Sequence, residues 1–322
     1  METIKIKGLD KPVTRMILGS TWWWRHFPEK TVFETLDAYV EAGGNMLDTG
    51  RFYSAGHGEK VLAKWFDMTG MRGKIMVTSK ACHHYVDEDN NHFPEKNRVQ
   101  PECITEDLEF SLNRLGLDHF EVFMMHRDRR DLPVGEMMDV LEKHHKEGKI
   151  NAYGVSNWDQ DRLQEAIDYC KSKGYQGPTT NSPSYSLATV TAPRWAGCSY
   201  IDDDYAAWHK GTDVAILSWA SQGGGWFGEA HKRGELPKDY FDAYDTPANN
   251  EKMKRCRELA AEKGANVLPI NIALAYLLNQ NLPIAAIVGP RDANELKTGL
   301  KGLDIKLTPA EVEYLSLRSD KR

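Results

Sequence analysis

Apolar and polar positions along the chain switch repeatedly between two periods. Ile4 and Ile6 alternate with polar neighbours, GLDKP supplies a turn, and Val13 to Leu18 opens a second apolar stretch, so the first segment predicts a β-hairpin. A longer period follows. In TVFETLDAYVEAG, Val32, Phe33, Leu36, Tyr39 and Val40 recur at helical spacing, and the run stops at Gly43-Gly44. NMLD then predicts a short buried strand and EKVLAKWFDM another helix. GKIMVTSK, HFEVFMMH and NAYGVSN are strand-like. They are separated by the helical segments ITEDLEFSLNRLG and VGEMMDVLEKHHKEGK, and RLQEAIDYCKSKG follows as a further helix. PTTNS, DVAILS and IAAIVG continue the strand series at intervals that leave room for a helix between each pair.

Short apolar strands alternating with amphipathic helices predict parallel β/α architecture, because parallel neighbours need crossover connections. From MILG onward the strands are MILG, NMLD, IMVTS, EVFMM, AYGVS, PTTNS, VAILS and IAAIVG. Eight such units over roughly 250–320 residues is the arithmetic of a (β/α)8 TIM barrel, here preceded by the hairpin. The GxGxxG turn of a doubly wound dinucleotide-binding sheet is absent. The segments 184–211 and 223–250 read as long βα loops, which makes residues 1–322 a single barrel domain.

Composition narrows the function classes. The net charge of −6 lacks the basic excess of a phosphate-tracking protein, so no nucleic-acid partner is expected. No apolar run approaches the ~18 residues of a membrane helix, and METIKIKGLD lacks the apolar core of a secretory signal, so no membrane partner and a cytoplasmic location are expected. Cys82, Cys103, Cys170, Cys198 and Cys256 form an odd, scattered set that reads as free thiols.

In a barrel of this kind the chemistry sits at the carboxyl ends of the strands. Asp48 ends NMLD, Tyr53 follows in TGRFYSAG, Lys80 ends IMVTSK and His126 ends EVFMMH. The strands concerned are successive neighbours, about 4.8 Å apart, so the four side chains are expected at one rim. A free tyrosine has a pKa of about 10, a neighbouring ammonium favours its phenolate, and a carboxylate holds that ammonium in place. The histidine can orient a carbonyl oxygen. Together they suit proton exchange with a carbonyl/alcohol pair.

These residues and their surroundings resemble the aldo-keto reductase family. The resemblance runs through MILGSTW, MLDTGRFYSAGHGEKVLAKW, VTSK, FMMHRD, INAYGVSNW, LSWASQGG and IVGPRDANEL. It implies a nicotinamide-dependent oxidoreductase acting on a small-molecule carbonyl or alcohol, with Asp48, Tyr53, Lys80 and His126 as the catalytic tetrad. It also implies that Ser156, Asn157 and, in place of the usual glutamine, Asn181 or Ser182 hold the carboxamide. Gly19, Ser20 and Thr21 would line the nicotinamide end. Ser218 and the loop Gly223-Gly224-Gly225 would reach the pyrophosphate, and Gly289, Arg291 and Glu295 the adenosine end. Leu217 stands where the family commonly places a stacking aromatic, with Trp219 beyond it.

Arg291 suits a 2′-phosphate, which favours NADP(H) over NAD(H), although Asp292 and Glu295 have the spacing of a capping box. Tryptophans cluster around the expected mouth. Trp22, Trp23 and Trp158, with His83 and Arg127, are the candidate substrate-binding residues. Trp24, Trp195, Trp226, Arg51, His84 and Asp128 lie nearby in sequence, and the set suits a sugar or keto-sugar. The pairs His83-His84 and His144-His145 raise the idea of a metal. The second pair lies on a helix where adjacent residues do not face one another, and no metal is expected. Two other classes compete: a cofactor-binding regulatory subunit of the same fold, and a barrel glycosidase. The glycosidase needs two carboxyl groups at strand ends, and only Asp48 is so placed.

Overall fold

Parallel strands become neighbours only through a crossover, and most long apolar runs of this chain are followed by one. The computed structural model describes residues 1–21, 23, 28–191, 194, 195, 197–228 and 236–322. β1 (Thr3–Ile4) and β2 (Val13–Thr14) pair antiparallel as the expected hairpin. β3 (Met16–Gly19), β4 (Met46–Asp48) and β5 (Met76–Ala81) follow, and a ribbon of β6 (Tyr85–Val86) and β7 (His92–Phe93) is inserted after β5. β8 (Phe120–Met125), β9 (Ile150–Ser156), β10 (Thr180–Ser182), β11 (Ala215–Ser218) and β12 (Ile284–Val288) complete a closed parallel barrel of eight strands in chain order. This is the expected (β/α)8 barrel.

The crossovers form as their patterns require. α1 (Glu29–Glu41), α2 (His57–Thr69), α3 (Pro101–Leu115), α4 (Val134–Lys146) and α5 (Gln160–Lys173) occupy the predicted helical segments. In α3, Pro101 starts the helix where its missing N–H costs nothing, and Gly116 ends it at φ 63° in the left-handed region. Its face of Ile104, Leu108, Leu112 and Leu115 is buried, each side chain contributing about 1.5–3 kcal/mol. The segments read as long loops hold more structure than expected. α6 (Asp203–His209) lies in the first and a helix at Lys238–Tyr244 in the second, both too short to give a periodic signal.

Two faces of the strands build two cores. Ile17, Met46, Met76, Val122, Met124, Ala152, Ala215, Leu217, Ala285 and Ile287 fill the barrel interior, with Ile6 and Val13 of the hairpin segment joining them. The alternate residues, Leu47, Val77, Phe123, Val155 and Ile216 among them, pack against the helices. This parity decides which side chains reach the barrel mouth. No described helix is long and apolar enough to cross a membrane.

Candidate active site

Asp48, Lys80 and His126 share the inward parity of Met46, Met76 and Met124. Asp48 is in register with Thr78 and Lys80 with Met124, so each step across the sheet advances two residues and keeps the same face. The three polar groups therefore follow the apolar interior at the carboxyl end of adjacent strands. Asp48, Lys80 and His126 are all buried. Lys80 Nζ donates to Asp48 Oδ1 and, at 3.3 Å, to the carbonyl of Thr49.

Tyr53 is brought over this pair by a turn outside the barrel. Ser54 and Ala55 take φ of 51° and 55°, left-handed backbone that non-glycine residues seldom adopt. The turn is tied down by Ser54 Oγ donating to the carbonyl of Thr21 and Arg114 donating to that of Gly56. Lys80 Nζ lies 4.8 Å from the Tyr53 ring centroid. The Tyr53 and His126 rings are 5.4 Å apart and nearly perpendicular. All four expected residues thus meet.

The electrostatics differ from the sequence expectation at one point. Lys80 pulls Tyr53 toward its phenolate, as expected, but does not prevail. Desolvation instead pushes the Tyr53 phenol above its ordinary value, with Asp48 adding to the rise and Lys80 opposing it. Tyr53 therefore keeps its proton at neutral pH. Burial disfavours the Lys80 ammonium, yet Asp48 and Tyr53 leave its pKa raised, so it stays charged. His126 is pushed well below its ordinary value by burial, and further by His83, Arg127 and Lys80. It is a neutral imidazole.

The chain that carries this rim is similar to known proteins along most of its length. Residues 15–317 match the aldo/keto reductase family. The chain belongs to that family. Its relatives include an uncharacterized oxidoreductase, YrpG, of Bacillus subtilis strain 168, 26% identical over 96% of this chain and 92% of that protein. An NADP(+) aryl-alcohol dehydrogenase of Phanerodontia chrysosporium is 24% identical over 88% and 74%. A probable voltage-gated potassium channel subunit beta of Oryza sativa subsp. japonica is 22% identical over 87% and 84%. Family and relatives support an oxidoreductase, and aldo-keto reductases use nicotinamide cofactors.

Around the tetrad of this aldo-keto reductase, the expected cofactor residues separate into those at the mouth and those committed elsewhere. Gly19 is in register with Asp48, and a Cβ on it would lie 4.0 Å from Asp48 Oδ2 and 2.9 Å from Ile287. Ser20 is buried, its hydroxyl donating to Thr49 Oγ1 at 2.9 Å, and Thr21 holds Ser54. Ser156 Oγ donates to the Ser182 carbonyl at 2.7 Å. Asn157, at φ 62°, donates from Nδ2 to the His126 carbonyl at 3.1 Å and accepts at Oδ1 from Trp219 Nε1 at 3.1 Å. Trp219 thus stands one residue away from His126. Leu217 is buried in the barrel interior.

Asn181 does not face the mouth. It pairs with Val155 and Ile216, both on the helix side, and its amide donates to Tyr205 Oη at 2.8 Å and His209 Nε2 at 3.1 Å. Strand parity, with Ser182 and not Asn181 in register with Ser156, is the signal that would have revealed this. Ser218 Oγ donates to the Tyr185 carbonyl at 2.5 Å. In the glycine turn, the N–H groups of Gly223 and Gly225 are bonded to Ala220 and Gln222, and a Cβ on Gly224 would meet the Tyr240 ring at 2.2 Å. Gly224 already has a packing reason, and the N–H groups of Gly223 and Gly225 are spent within the turn. Gly289 is exposed just after β12. Arg291 Nε donates to Glu295 Oε1 at 2.6 Å. Asp292 caps the helix at Ala293–Leu300, while Glu295 reaches the backbone N–H of Arg291, one residue before the cap.

The aromatic rim also changes. Trp22 and Trp24 lie outside the described residues. Trp23 and Trp158 are buried in the core between strands and helices, and Trp226 in a second core under the long loops, so none of the three lines a rim. Arg51 is held by Glu106 and Asp107, and Asp128 by Arg162. What remains at the mouth is His83, its ring 4.6 Å from that of His126, and Arg127, whose guanidinium lies against the His126 carbonyl. Arg127 Nε is buried without a partner among the described residues. A platform of Trp195, Trp219 and Tyr200 stands near, with centroids 5.8 and 6.2 Å from Trp219.

Proposed function

We propose that residues 1–322 act as one barrel domain, an NAD(P)(H)-dependent oxidoreductase that interconverts a carbonyl and an alcohol. The observation that carries this reading is the buried Lys80–Asp48 pair beneath Tyr53 with the neutral His126 ring alongside. In the direction of reduction, Tyr53 gives its phenolic proton to the substrate oxygen. Lys80 stabilises the phenolate left behind, Asp48 positions Lys80, and the His126 imidazole donates a hydrogen bond that orients the carbonyl. In oxidation the same groups run in reverse. A bound nicotinamide supplies or accepts the hydride.

The residues at the mouth fit such a group. Asn157 Oδ1 has used one of its two lone pairs on Trp219, leaving the other for a carboxamide N–H. Trp219 offers a flat apolar face in place of the missing aromatic at Leu217, and Gly19 leaves the space above Asp48 free of a side chain. NADP(H) is favoured over NAD(H), with Arg291 reading the 2′-phosphate after displacing Glu295. Arg291→Ala is expected to weaken NADPH binding roughly ten- to hundredfold more than NADH binding. Glu295→Gln, which removes the carboxylate charge beside the guanidinium, is expected to tighten NADPH alone. Fluorescence titration with both cofactors checks this, and equal changes for both would remove the NADP assignment.

For the substrate we infer a polyhydroxylated carbonyl compound, a sugar or keto-sugar. Arg127 Nε needs an acceptor, the His83 ring stands beside that of His126, and Trp195 and Trp219 suit the apolar C–H face of such a molecule. An apolar carbonyl would leave the buried guanidinium nitrogen unpaired, which costs about 1–3 kcal/mol. Comparing kcat/KM for aldoses, ketoses and polyols with that for simple aromatic and aliphatic carbonyls, in both directions, decides the class. Sugars are expected to lead by roughly tenfold, which corresponds to about 1.4 kcal/mol and lies within that penalty. A tenfold lead for small apolar aldehydes, unchanged in Trp219→Ala, would sink the carbohydrate reading. A regulatory subunit with low turnover is the second reading, favoured by the likeness to a protein described as a probable channel subunit beta. Single-turnover oxidation of bound NADPH with a carbonyl panel separates the two.

A further inference from the structure

The ribbon inserted after β5 carries an arrangement that the redox chemistry does not use. His83, His84 and His92 converge there, one ring nitrogen from each lying within 4.8 Å of the others. His92 is in register with Val86, so His84, two residues before Val86, is its diagonal neighbour on the same face of the ribbon. The expectation of no metal weighed only adjacent histidine pairs. His92 enters because the turn at 87–91 folds the chain back on itself. By contrast, both ring nitrogens of His144 are occupied, by Thr105 and Glu147.

The three rings are close enough to share one cation. His84 Nε2 and His92 Nδ1 stand 2.8 Å apart, which requires one proton between two converging lone pairs. His83 Nδ1 lies 2.9 Å from the His84 carbonyl, an acceptor only, so Nδ1 carries the hydrogen and Nε2 keeps its lone pair. Giving the second ring N–H to a backbone carbonyl is how metal-ligating imidazoles are oriented.

We propose that His83, His84 and His92 form a binding site for a divalent transition-metal cation of the zinc type, with a fourth position left to water. Imidazole-only ligation suits zinc, copper or nickel and not magnesium or calcium, which take oxygen ligands. Bonds of about 2.0–2.1 Å in a tetrahedral site place ligand nitrogens about 3.3 Å apart. His84 and His92 therefore open by about half an ångström as the cation replaces their shared proton, and His83 closes on them. His84 is half-buried and His92 exposed, so both rings have room to turn. His83 links the site to the mouth, its ring 4.6 Å from that of His126. The site does not depend on the redox reading.

The test is titration of the full-length, tag-free, chelator-treated protein with Co2+. Binding of a single equivalent with the intense visible absorption of tetrahedral cobalt, abolished by competing Zn2+, is expected. His84→Ala and His92→Ala are each expected to weaken binding by at least the roughly 10–100-fold that loss of an outer partner costs a metal site. His119→Ala, at a half-buried histidine elsewhere, should leave binding unchanged. Near-UV circular dichroism shows whether each variant is folded, and His92→Gln replaces any alanine variant that is not. The site is overturned by wild-type protein that binds no stoichiometric cobalt, by weak octahedral absorption, or by affinity unchanged in the folded His84 and His92 variants.

Discussion

Tyr53→Phe is expected to lose roughly 10²–10⁴ of kcat while binding the nicotinamide cofactor with little change. The substitution removes one oxygen and leaves the ring that contacts His126 and Lys80, so packing is kept and only the proton at the reacting oxygen is lost. Because burial holds the Tyr53 phenol above its ordinary value, the wild-type enzyme should reduce substrate steadily through neutral pH and lose rate only on the alkaline side, as the phenol deprotonates. Oxidation, which needs the phenolate, should rise with pH over the same range. His126 should add no acidic limb near the ordinary histidine value of about 6.5, since it is pushed well below it. Steady-state kcat in both directions from pH 5 to the alkaline limit of stability checks this. Turnover of Tyr53→Phe at the wild-type level would rule out the mechanism.

Lys80→Met should be costly twice over. Both side chains of the Lys80–Asp48 pair are all but sealed from solvent, with 2% and 3% exposure. Removing the cation strands a buried carboxylate, and breaking such a pair typically costs about 3–5 kcal/mol. Denaturant unfolding should register that loss. The double variant Lys80→Met/Asp48→Leu, which removes the stranded charge, should recover much of the stability and none of the activity. The kinetic signature separates tuning from mere support. With Lys80 gone, only the weaker pull of Arg127 is left against burial and Asp48 at Tyr53, so the phenol rises further and the alkaline limb of any residual reduction moves to higher pH. A limb that stays in place would mean that Lys80 does not act on Tyr53, whatever happens to kcat.

Three of the four groups were legible because they need only local information, whereas Tyr53 reaches them through a turn tied to Thr21 and Arg114. Asp48, Lys80 and His126 stand at the ends of short apolar strands, on the parity of Met46, Met76 and Met124, and a period of two is written in the residues themselves. The aromatic rim was not legible in the same way. Trp23 and Trp158 follow strand ends just as candidate pocket residues would, but whether an indole faces solvent or a helix depends on what the remote chain lays over it. Asn181 lies between these cases. Its outward parity could be read from Thr180 and Ser182, but its partners Tyr205 and His209 sit on a short helix with no periodic signal.

The amino-acid sequence by itself determined the alternation of strand and helix, the count of eight strands, the closure they imply, and three of the four groups at one rim. Each of these follows from hydrophobic period and residue type, which act over a few neighbouring positions. Tertiary structure alone decided the protonation of Tyr53, because desolvation depends on everything packed around a group and here exceeds the pull of the adjacent ammonium. It also decided that Glu295 holds Arg291, and that His92 returns to His83 and His84. Contacts of that kind depend on the angle of a turn and the rotamers at its ends, and residue order does not encode either one directly.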